Sequence, residues 1–409
     1  MTMRTMIFAG TLAALPAIAP AQNTGSMSIN EWKEWAQLGV HQPETEDWDA
    51  IREAAKEEGA LTVYASSSSI SAVAEDFMKL YPEIEVSAFD LGSEKTIEKL
   101  MREHQAELYN VDVVTTGGAA QMIYELLPQD SIVNYVPRYL ADDIPEDLQQ
   151  PLLTQMVEAT VLFYNTETYP DGPPISNIWE LTEPEWSKRV GMKSPLGSLT
   201  TLALIANLVE HGDAFDAAYE SHTGKPLEYS DGIDNGAYEF FHRLIGNDLV
   251  IYNSGSKLAA ASGLSGQEAP PITFSSMHYI NKNDSDGYKN GILYDIEPSG
   301  VFAYSTYTSI AGRAPHPNAA KLFVAFQMGS DELTADTTIQ GALREGENLE
   351  LLEGMGPYFK VGTFSPRNDV PMPDGAEVWP KVNKFWGTPA FQRDNVALVA
   401  DFWVYETSQ

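Results

Sequence analysis

The chain has 409 residues, no cysteine and a formal net charge of −33. Without cysteine, neither a disulfide framework nor a lipid anchor on cysteine is available. A surface this acidic repels nucleic acid and anionic membranes, so the composition argues against partners of both kinds and is typical of a soluble protein.

Residues 1–21 have the pattern of a secretory signal peptide. Arg4 precedes a short apolar run, and Ala19 and Ala21 form a small-residue cleavage pattern ahead of Gln22. Two prolines interrupt the run, which is shorter than a membrane anchor needs. We therefore expect a soluble periplasmic protein, with a mature chain long enough for two lobes that each have a core.

Residues 22–58 form a predicted helical extension. Trp32 and Trp35 follow one helical spacing, and Trp48 and Ile51 begin a second one. Aromatic residues at such spacing are more often packed than ligand-binding. The pattern predicts two short helices on the outside of the body.

After Gly59, strand and helix patterns alternate. The apolar run at 61–65 precedes a helical pattern over 70–81, and two further units follow, with strands predicted over 84–89 and 111–116. Such alternation indicates an α/β lobe with a largely parallel, buried sheet.

A buried strand over 159–165 ends at a proline-rich stretch, where we predict a crossing between lobes. Helical patterns at 200–212 and 237–246 indicate a second α/β lobe, while 254–267 is predicted to be a loop and 378–392 to belong to helices covering that lobe. Each lobe is assigned two segments: 59–160 and 296–345 to the first, 161–295 and 346–409 to the second.

Four consecutive serines follow the first predicted strand and precede its helix: Ser66, Ser67, Ser68 and Ser69. Ligands of open α/β sheets bind at the carboxyl ends of the strands, where helix N-terminal amides face the crevice. Serine hydroxyls add further donors, so this loop suits a phosphate, phosphonate or carboxylate. The alternative is that one serine caps the helix and the others form a turn.

The second lobe has a similar hydroxyl-rich helix start, with candidates Ser194, Gly197, Ser198 and Thr200. Two such helix starts, one in each lobe, would form a clamp around an anion, and ordinary helix capping is the alternative. Further candidates lie at strand ends or near residue 296, where the chain is predicted to return to the first lobe. They are Gly92, Ser93, Thr116, Gly117, Asn165, Ser276, His278, Tyr279, Ser299 and Tyr304. For these residues, turns, packing and structural hydrogen bonds are the competing interpretations.

Six short motifs follow one another in a recognisable order, at 58–64, 112–118, 161–165, 176–186, 314–323 and 367–371. In that order they resemble periplasmic solute-binding proteins of ABC importers, in the ferric-ion-binding-protein-like group. The resemblance covers roughly residues 58–371 and implies the type II periplasmic binding protein fold, with two hinge-linked α/β lobes and mostly parallel sheets. It also implies a small-molecule ligand enclosed by closure and an inner-membrane ABC permease as partner. We expect a monomer without cofactor or catalytic residues.

The resemblance leaves two kinds of ligand open. Ferric-binding relatives often use adjacent tyrosines, with a histidine after the first strand and an acid after the third. This chain has no Tyr-Tyr pair, serines follow its first strand, and Thr115 and Thr116 end its third. We therefore expect an organic anion, with ferric iron held by Tyr279 and Tyr304 as the alternative.

Two other functions were weighed. An exported hydrolase would use Ser254 and Lys257 in an S-x-x-K pattern, but the motifs that accompany that pattern in serine hydrolases are missing. A ligand receptor for a membrane sensor would use the same fold as an importer component. We expect a binding protein and not an enzyme.

Overall fold

The computed structural model describes residues 24–329, 354–359, 363–370, 379 and 381–408. The predicted signal peptide lies outside these residues. Within the described ranges, no helix combines the length and apolar character needed to cross a membrane.

One mixed sheet of eleven strands runs through the molecule. The strands are β1 (Ala60–Ala65), β2 (Glu85–Asp90), β3 (Val113–Thr116), β4 (Ile132–Val133), β5 (Thr154–Asn165), β6 (Val190–Lys193), β7 (Val250–Tyr252), β8 (Ile272–Ser276), β9 (Asn290–Ile292), β10 (Val301–Ala311) and β11 (Phe385–Trp386). Their order is β2-β1-β3-β10-β5-β8-β6-β7, with β4 and β11 on β10 and β9 on β5.

The two outer parts of the sheet are parallel, as predicted, and its centre is antiparallel. β1 pairs in parallel with β2 and β3, and β6 pairs in parallel with β7 and β8. β5 and β10 pair antiparallel over residues 154–161 and 301–307 and join the two parts. The strands of both lobes therefore belong to one continuous sheet, with β5 and β10 at its centre.

The helices pack on both sides of this sheet. They are α1 (Ile29–Trp35), α2 (Trp48–Glu58), α3 (Ser69–Leu80), α4 (Ser93–Gln105), α5 (Ala119–Gln121), α6 (Glu146–Gln149), α7 (Leu199–Glu210), α8 (Gly212–Thr223), α9 (Gly236–Gly246), α10 (Gly255–Gly263), α11 (Lys282–Asp286), α12 (Pro317–Gln327), α13 (Gly356–Phe359) and α14 (Pro389–Thr407).

The first core lies around β1, α3 and α12, and we call this part of the molecule the first lobe. Ile70, Val73 and Phe77 bury the predicted face of α3. The N-terminal helices belong to this core, because Trp32 is fully buried and its indole Nε1 donates to the Ala314 carbonyl oxygen at 3.1 Å. The predicted outer extension is thus an integral part of the first lobe.

The second core lies around α7, α8 and α9, and defines the second lobe. Trp179 meets Phe240 edge-to-face there, with ring centroids 5.5 Å apart. The C-terminal helix α14 packs on α7 of this lobe and also contacts α5 of the first lobe. Tyr358, which the predicted division assigns to the second lobe, is buried in the first core.

The loop predicted over 254–267 is wrong, because most of it is helix α10. Ser254 caps this helix by accepting a hydrogen bond from the Lys257 amide at 3.2 Å. Leu258 and Ala259 form part of the buried face of this helix. The small residues of this stretch therefore allow close packing, and Ser254 has a structural partner.

Candidate functional site

A cleft of about 1550 Å³ separates the two lobes. Its walls come from the loops that follow β1, β2 and β3 in the first lobe and β6 in the second, and from the residues around Ser276 and Tyr304 on β8 and β10. Most strand ends contributing to it are the carboxyl ends of parallel strands, which is where open α/β sheets bind ligands.

Three helices of the first lobe begin at the cleft, and only the first amide of α3 is capped by a side chain, that of Ser67. Their N-cap residues are Ser68 for α3, Gly92 for α4 and Gly118 for α5, and none of these makes a side-chain capping hydrogen bond. Uncapped N-terminal amides and the positive ends of α3 and α4 together favour an anion. The three helix starts line the same cleft.

Glycine is required at two of these turns. Gly92 has φ 77° and Gly118 has φ 91°, values that residues with a Cβ rarely adopt. A Cβ on Gly118 would also lie 2.8 Å from Cδ1 of Ile97. The loops after β2 and β3 lie side by side, since a Cβ on Gly117 would be 3.7 Å from Oγ of Ser93.

The four serines after β1 divide into two pairs. Oγ of Ser67 accepts from the Ser69 amide at 3.3 Å, and Oγ of Ser69 donates to the Pro357 carbonyl oxygen at 3.3 Å. All four serines line the cleft, and the hydroxyls of Ser66 and Ser68 have no partner among the described residues. The turn-forming interpretation therefore accounts for Ser67 and Ser69, while Ser66 and Ser68 offer free donors.

The second predicted helix start is largely satisfied within the protein. Oγ of Ser198 caps α7 by accepting from the Thr201 amide at 3.3 Å. Oε1 of Glu94, in the first turn of α4, reaches across the cleft and accepts from the Leu199 amide at 2.9 Å. Gly197, Ser198 and Thr200 line the cleft. The predicted clamp is thus asymmetric, with its open amides in the first lobe.

The floor of the cleft carries a carboxylate paired with a phenol. The Tyr304 hydroxyl donates to Oε2 of Glu158 at 2.7 Å. Burial and the Glu158 charge raise the pKa of Tyr304 well above its usual range, so the phenol is neutral at physiological pH. Beside it, Oγ of Ser276 and Nδ1 of His278 lie 2.9 Å apart, and burial lowers the pKa of His278.

Tyr279 completes the floor. Its ring lies 4.1 Å from the His278 ring, centroid to centroid, and it packs on Gly255, where a Cβ would be 2.5 Å from Cε2 of Tyr279. Burial raises the pKa of Tyr279. The floor therefore brings two phenols near the Glu158 carboxylate, which is distant from both tyrosines in the sequence.

Two predicted ligand-binding residues serve the scaffold instead. Nδ2 of Asn165 donates to the carbonyl oxygens of Ser262 and Leu264 at 2.8 and 3.0 Å, and the residue is fully buried at the end of β5. Oγ of Ser299 donates to the Asn383 carbonyl oxygen at 2.8 Å. Neither lines the cleft, because both hold loops to neighbouring strands.

Thr116 and Ser194 also lie outside the cleft lining. Thr116 is fully buried where β3 pairs with β10, opposite Tyr307. Ser194 precedes the short 3-10 helix Pro195–Gly197, whose other residues turn toward the cleft in its place. Each of them lies next to a residue that does line the cleft, Gly117 and Pro195 respectively, and their role in ligand binding stays a prediction.

Several cleft residues were missed by the sequence reasoning: Glu94, Lys95, Glu158, Lys193, Asn207, Trp386 and Gln392. Glu94 and Lys95 follow the predicted Gly92 and Ser93 directly, so their place in the first turn of a helix was a usable signal. No local sequence signal marks Trp386 and Gln392, because the C-terminal segment reaches the cleft only through tertiary packing.

Comparison with solved structures identifies the fold as that of two-lobed periplasmic solute-binding proteins of the ferric-ion-binding-protein-like group. Iron-bound HitA from Pseudomonas aeruginosa aligns with a TM-score of 0.61 at 16% identity, over 85% of this chain and 99% of that chain. A ferric binding protein from Campylobacter jejuni aligns with a TM-score of 0.60 at 15% identity, over 85% and 99%.

A third similar structure has a different ligand in its description. The periplasmic binding protein AfuA from Actinobacillus pleuropneumoniae, with exogenous fructose-6-phosphate bound, aligns with a TM-score of 0.60 at 18% identity, over 85% of this chain and 98% of that chain. No protein-family model and no curated protein matches the sequence. The predicted fold class and the resemblance are confirmed, and the similar structures include binders of iron and of a sugar phosphate.

Proposed function

We propose that this protein is the solute-capturing component of an ABC importer, and that it binds an organic anion bearing a phosphate, phosphonate or carboxylate between its lobes. The observation that carries the proposal is the set of three helix starts at Ser68, Gly92 and Gly118, which all face one cleft and of which only that of α3 has a side-chain cap, from Ser67. Such amides favour negative charge without any cationic side chain. The free hydroxyls of Ser66 and Ser68 add donors beside them.

The size of the cleft supports a molecule and not a single ion. The lobes already touch through Glu94 and Leu199, yet about 1550 Å³ remains between them. Small-molecule sites commonly enclose roughly 300 to 1,000 Å³, so the cleft holds an organic ligand with space left for water.

Ferric iron is the second candidate, and the floor of the cleft favours it. Tyr279, Tyr304 and Glu158 bring three hard oxygen donors together, with His278 beside them. Both phenols are neutral in the free protein, so iron would have to displace their protons. This cost makes iron the weaker candidate.

Calorimetric titration with inorganic phosphate, a set of phosphorylated sugars, alkylphosphonates, citrate and ferric citrate tests the two ligand classes. We expect a phosphorylated or carboxylated organic compound to bind, and the double variant Ser66→Ala with Ser68→Ala to weaken it about tenfold. Ser187→Ala with Ser285→Ala, which changes a half-buried and an exposed serine away from the cleft, is the matched control. Unchanged affinity in the first variant would refute the role of the serines.

The iron candidate has its own optical signature. A visible phenolate-to-iron band on adding ferric citrate, lost in Tyr279→Phe with Tyr304→Phe, would overturn the preference for an organic anion. Binding of the organic anion that survives the same double variant would support it.

We infer a periplasmic location and an inner-membrane permease as partner, and expect the protein to act as a monomer that breaks no bond of its ligand. These statements rest on likeness of fold, which does not fix function by itself. Crosslinking of the ligand-loaded protein to membranes is the test. Recovery of a permease would support import, recovery of a sensor would favour a signalling receptor, and chemical conversion of the bound anion would refute a purely binding role.

A further inference from the structure

The C-terminal segment forms a third wall of the cleft, which we define by Trp386, Gly387 and Gln392 together with Asn207 of α7. β11 pairs in parallel with β10, with Phe302 opposite Phe385. This pairing carries the chain from the second lobe to the edge of the ligand space. The wall is therefore built on the central sheet and not on a free loop.

Two hydrogen bonds fix the segment immediately after β11. The Thr388 amide and its Oγ1 donate to the two carboxylate oxygens of Glu210, each at 2.7 Å. The ring of His211 stacks on Phe385 with centroids 4.2 Å apart. Because the backbone is held on both sides, the side chains of the third wall have fixed positions.

The orientation of the Asn207 amide follows from its partner. Its Nδ2 donates to the Phe385 carbonyl oxygen at 3.1 Å, and a carbonyl oxygen accepts only from a donor. Oδ1 must therefore face the other way, where it is buried and no described residue supplies a hydrogen bond to it. Asn207 is only 4% exposed, so an unpaired oxygen at this position is costly unless something supplies a donor.

Gln392 is the second unpaired amide of the wall. Its side chain lines the cleft and is 9% exposed, and it has no hydrogen-bond partner among the described residues. A Cβ on Gly387 would lie 2.9 Å from Nε2 of Gln392 and 3.0 Å from Cβ of Asn207. Glycine at 387 thus lets the two amides converge on one place.

We propose that Asn207 and Gln392 form a subsite for the hydroxyl-bearing end of a polyhydroxylated anion. Both side chains are uncharged amides, so they suit an uncharged group that donates and accepts hydrogen bonds, as a hydroxyl does. Asn207 lies roughly 13 Å along α7 from Ser198, at 1.5 Å per residue, so this subsite is separate from the N-terminus of α7, where Glu94 of the first lobe makes its contact. The inference rests on the proposed function and extends it to ligand class.

The test compares phosphates that share a charge and differ in hydroxyls. The probes are glucose 6-phosphate, fructose 6-phosphate and trehalose 6-phosphate against n-hexyl phosphate, all titrated calorimetrically into the full mature chain. We expect at least one phosphorylated sugar to bind more tightly than hexyl phosphate. Gln392→Met, which keeps the side-chain shape, should weaken that sugar phosphate by fivefold to tenfold and leave hexyl phosphate unchanged.

Stability separates a ligand-binding amide from a structural one. Because the Gln392 side chain has no partner among the described residues, Gln392→Met should leave the thermal midpoint unchanged or raise it. Gln267→Met is the control, because Gln267 donates to the Ala261 carbonyl oxygen at 3.0 Å. This variant should be less stable than wild type and bind the sugar phosphate with unchanged affinity.

Three results would overturn the inference. Equal affinity of wild type for hexyl phosphate and the sugar phosphates, or unchanged sugar-phosphate affinity in Gln392→Met, would remove the subsite while leaving the anion proposal intact. Equal weakening of both kinds of probe in that variant would assign Gln392 to the cleft in general. Failure of every organic anion to bind wild type would instead refute the proposed function itself.

Discussion

Glu94 makes a contact that should help to hold the two lobes together before any ligand arrives. Its carboxylate accepts from the Leu199 amide at the N-terminus of α7, across the cleft. A negative charge at an exposed helix N-terminus contributes about 0.3–1 kcal/mol, and solvent reduces the further gain from the hydrogen bond. We therefore expect Glu94→Ala to make closure of the lobes less favourable by about 1 kcal/mol. This change lowers the ratio of closed to open molecules about fivefold.

The absence of cysteine makes this measurement direct. Spin labels on Glu75→Cys and Glu220→Cys, two exposed positions in different lobes, report the distance distribution by pulsed electron resonance. Glu94→Ala should move population to longer distances, and Glu94→Gln should have a smaller effect because it keeps an acceptor. High salt should reduce the difference between wild type and Glu94→Gln.

Glu98→Ala is the matched control for this experiment, since Glu98 lies on the same helix and pairs only with exposed Arg102. It should leave the distance distribution unchanged. Identical distributions in wild type and Glu94→Ala would refute the argument that this carboxylate holds the lobes together.

Three further predictions concern stability. Trp32→Ala should lower the free energy of unfolding in urea by about 3–5 kcal/mol and leave anion affinity unchanged, whereas a small loss would show that the N-terminal helices are peripheral. Burial lowers the pKa of Lys321 to about 8, so the unfolded state binds more protons between that pH and about 10.5. The free energy of unfolding of wild type should therefore rise by about 3 kcal/mol relative to that of Lys321→Met as pH rises from 7 to 10.5, and a constant difference would contradict this. Burial also lowers the pKa of His278, so the protein should lose stability as pH falls below the ordinary value of about 6.5 and through the lowered pKa of the folded state, and His278→Gln should lack that loss in matched thermal scans.

The sequence predicted the elements whose signals are local. α3 and α7 lie within one or two residues of their expected ranges, because apolar residues recur at helical spacing and serine stands at the start. The serines and glycines that line the cleft were also predictable, because each directly follows a predicted strand and parallel strands place their carboxyl ends at one edge of the sheet.

The rest depends on pairings between distant residues. β5 is longer than the predicted strand because it pairs with β10, about 145 residues away. The bond from Glu94 to Leu199 and the pairing of Phe385 with Phe302 are likewise invisible to local patterns. These contacts decide that the α7 start is satisfied within the protein and that the C-terminal segment lines the cleft.

The net charge of −33 poses a question for a protein that binds an anion. Its field acts over a distance that salt limits to about 8 Å at physiological ionic strength, while helix N-terminal amides act at contact. Repulsion should therefore slow the approach of the anion without weakening the bound state to the same degree. Stopped-flow association rates should rise between 20 mM and 500 mM salt, with a smaller change in the dissociation rate. A falling association rate would mean that positive potential in the cleft, from Lys95 and Lys193, outweighs the surface charge in steering the ligand.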